Sequence, residues 1–280
     1  MKTTVLVTGA SGFIGKYLVA SLEEQGVEVC KHSTRNGDIA ECELPYDGVD
    51  HVFHLAGLSF VPESWRQPTR FIRTNVLGTI NVLEFCRCRG ASLTYVSSYV
   101  YGQPECLPIS EDHRRSAANP YAASKIMAED ACFFYEKHFG VRLSVIRPFN
   151  IYGPKQDSRF LVPTVVEQAL RPGCDVIAVA DTRPKRDFLY IADFVRLLLL
   201  TLERRPSGSY NAGSGIATSV EELVRVVTSF TGERQLESRG EIRDQEILEV
   251  RADIQKANRD LDWYPTVSLE QGIQEVIAAL

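Results

Sequence analysis

A chain of 280 residues, 44% of them apolar, can bury a large core and fits one big domain or two modest ones. Its net charge of −5 offers no basic surface to a nucleic acid backbone and argues against a nucleic acid partner. The seven cysteines are odd in number and show no C-x-x-C pair, so we expect no metal centre and a reducing, cytoplasmic setting. The N-terminus enters an apolar strand at once, and the apolar run Leu197–Leu202 is too short for a bilayer, so we expect neither a signal peptide nor a membrane span.

The first element is a strand, a turn and a helix around three glycines. The apolar run Val5–Val7 predicts a buried strand, and the sequence T-G-A-S-G-F-I-G follows it from Thr8 to Gly15. Glycines lack the Cβ atoms that would keep a diphosphate from the backbone, and the free N–H groups of the next helical turn would face the anion. We therefore expect a phosphate-bearing cofactor here, with a flexible turn as the alternative. The residues predicted to bind it are Gly9, Ser11, Gly12, Phe13, Ile14 and Gly15.

A second strand, Val27–Cys30, leads to the place where the adenosine ribose of a dinucleotide would lie. An acidic residue there would hold a free 2′-hydroxyl, but the chain has Ser33, Thr34 and Arg35 instead. These side chains favour a 2′-phosphate and hence NADP(H), unless they only form a solvated polar loop. We also assign Asp38 and Ile39 to the cofactor, and the Asp38 carboxylate keeps NAD(H) as an alternative.

The next predicted strand, Asp50–Gly57, ends on small residues that would let a cofactor approach its carboxyl end. We assign these residues to cofactor binding: Leu55, Ala56 and Gly57. His54 lies inside the apolar part of this strand, which is typical of a hydrogen-bonded core residue, so we leave it out of the site.

Helical spacing predicts one helix over Trp65–Cys88, which Gly90 would end, followed by a strand over Leu93–Val96. Strands that alternate with helices of this length predict an α/β fold with a doubly wound parallel sheet. Ligands bind beyond the carboxyl ends of the strands in such sheets. Ser97 directly follows a strand and is therefore a candidate reactive residue, the alternative being a polar strand terminus without a role.

Pro120 begins the next predicted helix, with Asn119 as its cap, and places Tyr121 and Lys125 one turn apart on one face. An ammonium at this distance would lower the pKa of the phenol and let it exchange a proton with a sugar hydroxyl or carbonyl. The Tyr-x-x-x-Lys spacing alone arises by chance in many chains, so its context decides its meaning.

After a strand over Leu143–Ile146 the alternation loosens, and the later segments predict a smaller C-terminal part that binds substrate. We expect helices over Phe160–Leu170, Phe194–Leu202, Val220–Phe230 and Leu269–Leu280, and a strand over Tyr210–Gly213. We assign residues 1–148 and 187–216 to a dinucleotide-binding domain, and residues 149–186 and 217–280 to the substrate-binding part.

Taken together, the motifs of this chain resemble the extended short-chain dehydrogenase/reductase family, in the branch that acts on nucleotide-activated sugars. They occur in the family's order and cover nearly the whole chain: T-G-A-S-G-F-I-G at Thr8, H-L-A-G at His54, N-V-L-G-T at Asn75, S-S-Y-V-Y-G at Ser97, Y-A-A-S-K at Tyr121, R-P-F-N-I-Y-G-P at Arg147 and R-D-F-L-Y-I at Arg186. The three-residue spacing of the glycines is this family's own variant.

The resemblance implies a role for individual residues. Ser97 would bind the C4 oxygen of the sugar, Tyr121 would be the general acid/base, and Lys125 would bind the nicotinamide ribose and hold the tyrosine pKa down. Asn75 and Pro148 would support or contact the cofactor. The residues expected at the substrate are Ser59, Ser98, Tyr99, Asn150, Arg186 and Arg243, of which the two arginines would pair with the diphosphate.

Two departures from the family pattern narrow the predicted reaction. Dehydratases of this branch have an Asp-Glu pair where this chain has Ser98 and Tyr99, so loss of water from the sugar is not expected. The missing acid after the second strand favours a reductase that uses NADPH over an epimerase that retains NAD. We therefore predict reduction of a nucleotide-linked 4-keto-6-deoxyhexose at C4. The alternatives are a nucleotide-sugar 4-epimerase that uses NAD and a non-catalytic protein that senses NADP.

The family forms dimers through a four-helix bundle, and the two long helices of this chain, Trp65–Cys88 and Pro120–Phe139, correspond to the helices that build it. Phe133, Phe134 and Tyr135 supply more aromatic surface than one sheet face would cover. We therefore predict a homodimer.

Overall fold

The computed structural model describes residues 3–241 and 246–280 of the chain. The prediction for Arg243 lies outside the described residues. The strands are β1 Thr4–Thr8, β2 Glu28–His32, β3 His51–His54, β4 Ser92–Val96, β5 Leu143–Pro148, β6 Asn150–Tyr152, β7 Val176–Val179, β8 Lys185–Arg186, β9 Phe188–Tyr190, β10 Gly208–Ala212, β11 Thr218–Ser219 and β12 Gln235–Ser238. The helices are α1 Phe13–Glu24, α2 Val61–Arg66, α3 Pro68–Phe71, a π-helical turn Ile72–Leu77, α4 Gly78–Arg89, α5 Pro120–Phe139, α6 Leu161–Leu170, α7 Ile191–Arg204, α8 Val220–Thr231, α9 Gln255–Leu261 and α10 Leu269–Ala278.

Six strands form a parallel sheet in the order β10-β5-β4-β3-β1-β2, which confirms the predicted α/β fold with a Rossmann-like sheet. Strand β1 pairs with β2 on one side and with β3 on the other, so the strand order reverses beside it. A crevice opens at the carboxyl ends of strands at such a reversal, and ligands bind there. The glycine-rich turn after β1 and the residues after β3 therefore lie at this edge together.

The sheet is held by a core that includes residues from both predicted parts of the chain. One buried apolar cluster contains Val5 and Ile146 from the sheet together with Val162, Ile177 and Val227 from the later elements. Burying an aliphatic side chain of this size contributes about 1.5–3 kcal/mol to folding. The sheet and the C-terminal elements are thus joined by apolar packing, and the domain boundaries stay a prediction.

The prediction of one continuous helix over Trp65–Cys88 is wrong. Instead the structure has α2, α3, the π-helical turn and α4. The break between α2 and α3 lies at Gln67, which precedes Pro68 and leaves the helical region with φ −136° and ψ 58°. The π-helical turn is a further departure, and such turns occur frequently at functional sites. Here it contains Asn75, whose side chain is buried. The predicted stop at Gly90 is confirmed, since this residue ends α4 with φ 70°.

Candidate active site

The glycine-rich turn places a helix N-terminus at the edge of the sheet. Gly9 has φ +71°, and a Cβ there would come within 2.7 Å of the Ala56 nitrogen, so β1 and the segment after β3 approach as only glycine allows. A Cβ at Gly15 would overlap the Gly9 carbonyl oxygen. Gly12 has open space around its Cβ position apart from that same oxygen at 3.1 Å. The turn is therefore tight on its inner side and open toward the crevice.

The residues of this turn fit a diphosphate. Gly12 is the N-cap of α1, and within the described chain no side chain caps this helix and no acidic residue stands in its first turn. The first helical hydrogen bond runs from the Lys16 N–H to the Gly12 carbonyl, which leaves the N–H groups of Phe13 and Ile14 without a helical partner. Uncapped N–H groups at the positive end of a helix are a favourable site for an anion.

At the end of β2, the residues predicted to choose between NADP and NAD form a turn. The Ser33 hydroxyl donates to Asn36 at 3.1 Å, and the exposed side chains of Thr34 and Arg35 follow it. The Asp38 carboxylate accepts from the Ala40 N–H at 3.0 Å and forms an ion pair with Arg73 at 3.3 Å. Asp38 is thus engaged in a turn and an ion pair.

The residues after β3 and within α4 lie close to the crevice at the carboxyl ends of the strands. Ile39 is buried against Gly78, where a Cβ would lie 2.8 Å from its Cγ2. Ala56 donates its N–H to the Thr8 hydroxyl at 3.3 Å, while Gly57 is exposed. His54 is buried with both ring nitrogens bonded to hydroxyl groups, which confirms that it is a core residue.

Ser97, Tyr121 and Lys125 lie where β4 ends and α5 begins. Ser97 is 2% exposed, and its hydroxyl has no hydrogen-bond partner among the described residues. Lys125 is buried and donates from Nζ to the Val96 carbonyl at 2.9 Å, one residue before Ser97. Asn119 caps α5, as predicted, by accepting from the Ala122 N–H at 2.8 Å. A buried hydroxyl without a partner costs free energy, so Ser97 is suited to bind an oxygen of a ligand.

The pKa values of Tyr121 and Lys125 differ from those expected from their spacing. Burial raises the pKa of Tyr121 to about 12, although a hydrogen bond with Ser98 acts in the opposite direction. Burial also lowers the pKa of Lys125 to about 8, which the carboxylate of Glu129 opposes. Burial therefore outweighs the expected lowering of the tyrosine pKa by Lys125, because removing the phenolate from water costs more than the ammonium returns.

Asn75 connects the segment after β3 to the helix that carries Tyr121. Its side chain accepts from the Leu58 N–H at 2.8 Å and donates to the Ser124 hydroxyl at 2.8 Å. Ser124 in turn donates to the Tyr121 carbonyl at 2.7 Å. A Cβ at Gly57 would lie 3.0 Å from the Asn75 oxygen and 3.6 Å from the Lys125 nitrogen. The predicted residues Gly57, Asn75 and Lys125 are therefore brought together.

The residues predicted at the substrate are distributed along neighbouring loops. Tyr99 stacks on Phe149 with ring centroids 5.2 Å apart, and its N–H donates to the carbonyl of the buried Pro148 at 3.1 Å. The side chain of Asn150 donates to the Asp187 carbonyl at 3.2 Å. Ser59 is exposed beyond the end of β3. These positions surround the carboxyl ends of β3, β4 and β5.

Arg186 has partners within the chain. Its guanidinium pairs with the Glu246 carboxylate and donates to the Ile247 carbonyl at 2.7 Å. An arginine held in this way must exchange Glu246 for a diphosphate in order to bind one, so its predicted role stays a prediction.

Sequence reasoning missed two buried carboxylates beside these residues. Asp187, the residue before β9, accepts from the N–H groups of Ser214, Gly215 and Ala252. These hydrogen bonds connect the start of β9 to segments that follow β10. Glu129 lies on α5 one turn beyond Lys125. The regular spacing of Tyr121, Lys125 and Glu129 was the available signal, since residues four apart share a helix face.

The fold is that of a nicotinamide-dependent oxidoreductase. The family model described as the NAD dependent epimerase/dehydratase family matches residues 5–213. The chain belongs to this family, within the extended short-chain dehydrogenase/reductases, and the resemblance drawn from its motifs is confirmed. It is an NAD(P)-dependent oxidoreductase of that type.

Curated relatives include both kinds of enzyme considered above. The chain is 32% identical to a GDP-6-deoxy-D-mannose reductase of Pseudomonas aeruginosa over 99% of this chain and 97% of that protein. It is 30% identical to a UDP-glucose 4-epimerase of Mycolicibacterium smegmatis over 97% of this chain and 96% of that protein.

Solved structures match the fold throughout. MoeE5 in complex with UDP-glucose and NAD has a TM-score of 0.91 and 30% identity, covering 99% of this chain and 98% of that one. RMD from Pseudomonas aeruginosa complexed with NADPH has a TM-score of 0.90 and 30% identity, with the same coverage of 99% and 98%. A nicotinamide dinucleotide cofactor is therefore supported, and these neighbours include a protein bound to a nucleotide sugar.

In the part of the chain that the structure describes, no helix is long and apolar enough to cross a membrane. The same residues contain no group of three or more His, Cys, Asp or Glu side chains that could hold a metal ion. All seven cysteines are free thiols.

Proposed function

We propose that the protein reduces a nucleotide-linked 4-keto-6-deoxyhexose at C4 with NADPH. The observation that carries this proposal is the buried hydroxyl of Ser97, which has no partner within the described chain and lies near Tyr121 and Lys125 at the carboxyl edge of the sheet. A buried hydroxyl in this state is complemented by a ligand oxygen, and a carbonyl oxygen is what a reductase must hold and protonate.

Each residue of the set has a defined task. When bound, the nicotinamide supplies the hydride that C4 receives. Ser97 holds the C4 oxygen by a hydrogen bond, and Tyr121 gives that oxygen its proton. The Lys125 ammonium stabilises the phenolate that remains on Tyr121 and offers its other N–H donors to the ribose hydroxyls.

The charge state of Tyr121 is the one from which reduction starts. A phenol whose pKa is raised to about 12 keeps its proton at neutral pH. Reduction uses the protonated phenol as an acid, whereas an epimerase must first remove a proton from the 4-hydroxyl and needs the phenolate as a base. The engagement of Asp38 with Ala40 and Arg73 also favours NADP, because it leaves this carboxylate less able to hold a free ribose hydroxyl.

The second candidate is a nucleotide-sugar 4-epimerase that retains NAD. It is supported by the epimerase of Mycolicibacterium smegmatis at 30% identity and by the NAD bound to MoeE5. The purified protein distinguishes the two candidates. A reductase consumes added NADPH in a 1:1 ratio with keto-sugar, while an epimerase carries bound NAD and converts sugars without added cofactor. Mass spectrometry of nucleotides released from the protein identifies the cofactor directly.

The test of the mechanism is the pair of variants Tyr121→Phe and Ser97→Ala. We expect each to lower kcat for NADPH oxidation with keto-sugar by about 100-fold or more, because each removes a group that acts on the C4 oxygen. The dissociation constant of NADPH, measured by fluorescence, should stay within about threefold. Tyr264→Phe, at an exposed tyrosine distant in sequence from the set, is the matched control and should keep full activity. A Tyr121→Phe variant with near wild-type kcat would refute the mechanism.

We further propose that the protein acts as a homodimer in the cytoplasm. Four large apolar side chains are exposed on α5 and on the π-helical turn before α4: Leu77 at 49%, Met127 at 48%, Phe134 at 53% and Phe139 at 49%. Met127 and Phe134 are seven residues apart and therefore share one face of α5. A partner with the same two helices would cover this apolar face. The free cysteines support a reducing compartment.

A further inference from the structure

A buried ion cluster around Glu129 lies one helical turn beyond the Tyr121–Lys125 pair on α5. Glu129 is 0% exposed and follows Lys125 by four residues on α5, so the two side chains lie on one face of the helix. Among the described residues, Glu129, Asp187 and Asp193 are the carboxylates with 1% exposure or less, and Glu129 is the one on the helix of the candidate catalytic residues.

Two arginines hold the Glu129 carboxylate in place. Arg147 on β5 donates to both of its oxygens, from Nε at 3.0 Å and from a terminal nitrogen at 2.7 Å. Arg115, in the loop before α5, donates at 3.2 Å. Arg147 is fixed in turn by the Tyr101 hydroxyl at 3.0 Å and the Glu111 carbonyl at 3.2 Å. The carboxylate is thus fixed between the helix, the sheet and the loop.

The surroundings of the Lys125 ammonium are otherwise apolar or neutral. It donates to the Val96 carbonyl and lies 4.9 Å from the centre of the Tyr95 ring. The titratable groups around it are Tyr95, Tyr121, His54, Cys132 and Glu129. Burial keeps His54 uncharged, since its pKa is lowered to about 3, and keeps the Cys132 thiol protonated because its pKa is raised. Glu129 is therefore the negative charge that opposes the cost of burying this ammonium.

We propose that Glu129 is a positioning residue for the reaction: held by Arg147 and Arg115, it keeps Lys125 charged against the Val96 carbonyl and in reach of Tyr121. The consequence for catalysis rests on the proposed function. The electrostatic effect of Glu129 on Lys125 does not, so it is tested on the protein without substrate.

The test is an NMR titration of the lysine side chains in protein labelled at the lysine ε-carbon, with Lys125→Arg to assign the signal. In Glu129→Gln we expect the pKa of Lys125 to fall by about one unit, as loss of a neighbouring opposite charge requires. The control is Asp193→Asn, which removes a buried carboxylate that is paired with Arg196 on α7, and it should leave Lys125 unchanged. An unchanged pKa of Lys125 in folded Glu129→Gln would overturn the proposal.

A second variant, Arg115→Gln, should shift the pKa of Lys125 in the opposite direction. It can be used if Glu129→Gln does not fold. Arg115 is partly exposed, and its loss removes a positive charge from Glu129 while the bidentate Arg147 pair remains. The pKa of Lys125 should then rise by a few tenths of a unit, and a fall would overturn the proposal.

In the enzyme assay, the alkaline limb of the pH profile of kcat/KM should move to lower pH by about one unit in Glu129→Gln. A uniform loss at all pH values would show a merely structural role. Failure to turn over any keto-sugar would count against the proposed function and leave the titration result intact.

Discussion

Acid should destabilise this protein through two buried histidines of strand β3. His51 bonds to the Ser92 and Thr94 hydroxyls at 2.8 and 3.0 Å, and His54 bonds to Thr8 and Thr79 at 2.7 and 3.1 Å. Burial lowers the pKa of each from 6.5 to about 3. Both are therefore neutral in the folded state throughout the range from pH 7 to pH 4.

The expected magnitude follows from the difference in proton uptake. Below pH 6.5 the unfolded chain protonates both rings, whereas the folded chain does not until the pH approaches 3, so lowering the pH favours unfolding. At pH 5 each histidine reduces the free energy of unfolding by about 2 kcal/mol relative to pH 7, and the two together by about 4 kcal/mol. Asp187 has a raised pKa and acts in the opposite direction, so the comparison with variants is the informative quantity.

The assay is urea denaturation of the wild type, His51→Gln and His54→Gln at pH 7, 6 and 5. Each variant should lose about 2 kcal/mol less between pH 7 and pH 5 than the wild type, whatever its stability at pH 7. If both variants lose the same free energy as the wild type over this range, the histidines are not the cause and the reasoning is refuted.

Three further outcomes are expected. If the proposed reduction is correct, kcat/KM should fall as the pH rises above about 8, because Lys125 then loses its proton, and a pH profile that is flat to pH 10 would contradict this. Gly15→Ala should lower the thermal midpoint strongly, because its Cβ would overlap the Gly9 carbonyl, whereas Gly12→Ala should cost less than about 1 kcal/mol and mainly weaken NADPH binding. Equal thermal midpoints for these two variants would count against the described turn. Phe134→Glu should produce monomers by sedimentation at micromolar concentration, while Leu170→Glu on α6 should not, and a wild type that is already monomeric would exclude the dimer.

The parts of the fold that depend on local chemistry were predictable from the sequence. The strand before Gly9, the cap at Asn119 and the left-handed stop at Gly90 are set by a few neighbouring residues, and each is confirmed. The alternation of strands and helices was enough to place Ser97 and the start of α5 at one edge of a parallel sheet. Their roles in a reaction stay predictions.

The features that depend on distant contacts were not predictable. Helical spacing over Trp65–Cys88 does not indicate the π-helical turn that contains Asn75. It also does not indicate the hydrogen bonds of the Asn75 side chain with Leu58 and Ser124. The pKa of Tyr121 depends on how deeply the phenol is buried, and a spacing of four residues does not report burial. The short strand pairs β7 with β12 and β8 with β11 join segments far apart in the chain.

Strand β2 has a neighbour on only one side among the described strands, because residues 33–50 return to β3 without adding another. Its outer row of amide and carbonyl groups thus has no strand partner within the described chain, although the Tyr46 hydroxyl donates to the Lys31 carbonyl at 3.4 Å. The exposed charges of Glu28 and Lys31 discourage another chain from adding a strand there. Amide protons along this rim should exchange with deuterium sooner than those of β3 and β4, which have neighbours on both sides. A dinucleotide whose adenosine rests on the rim would slow that exchange, so the outermost strand would serve as a built-in reporter of cofactor occupancy.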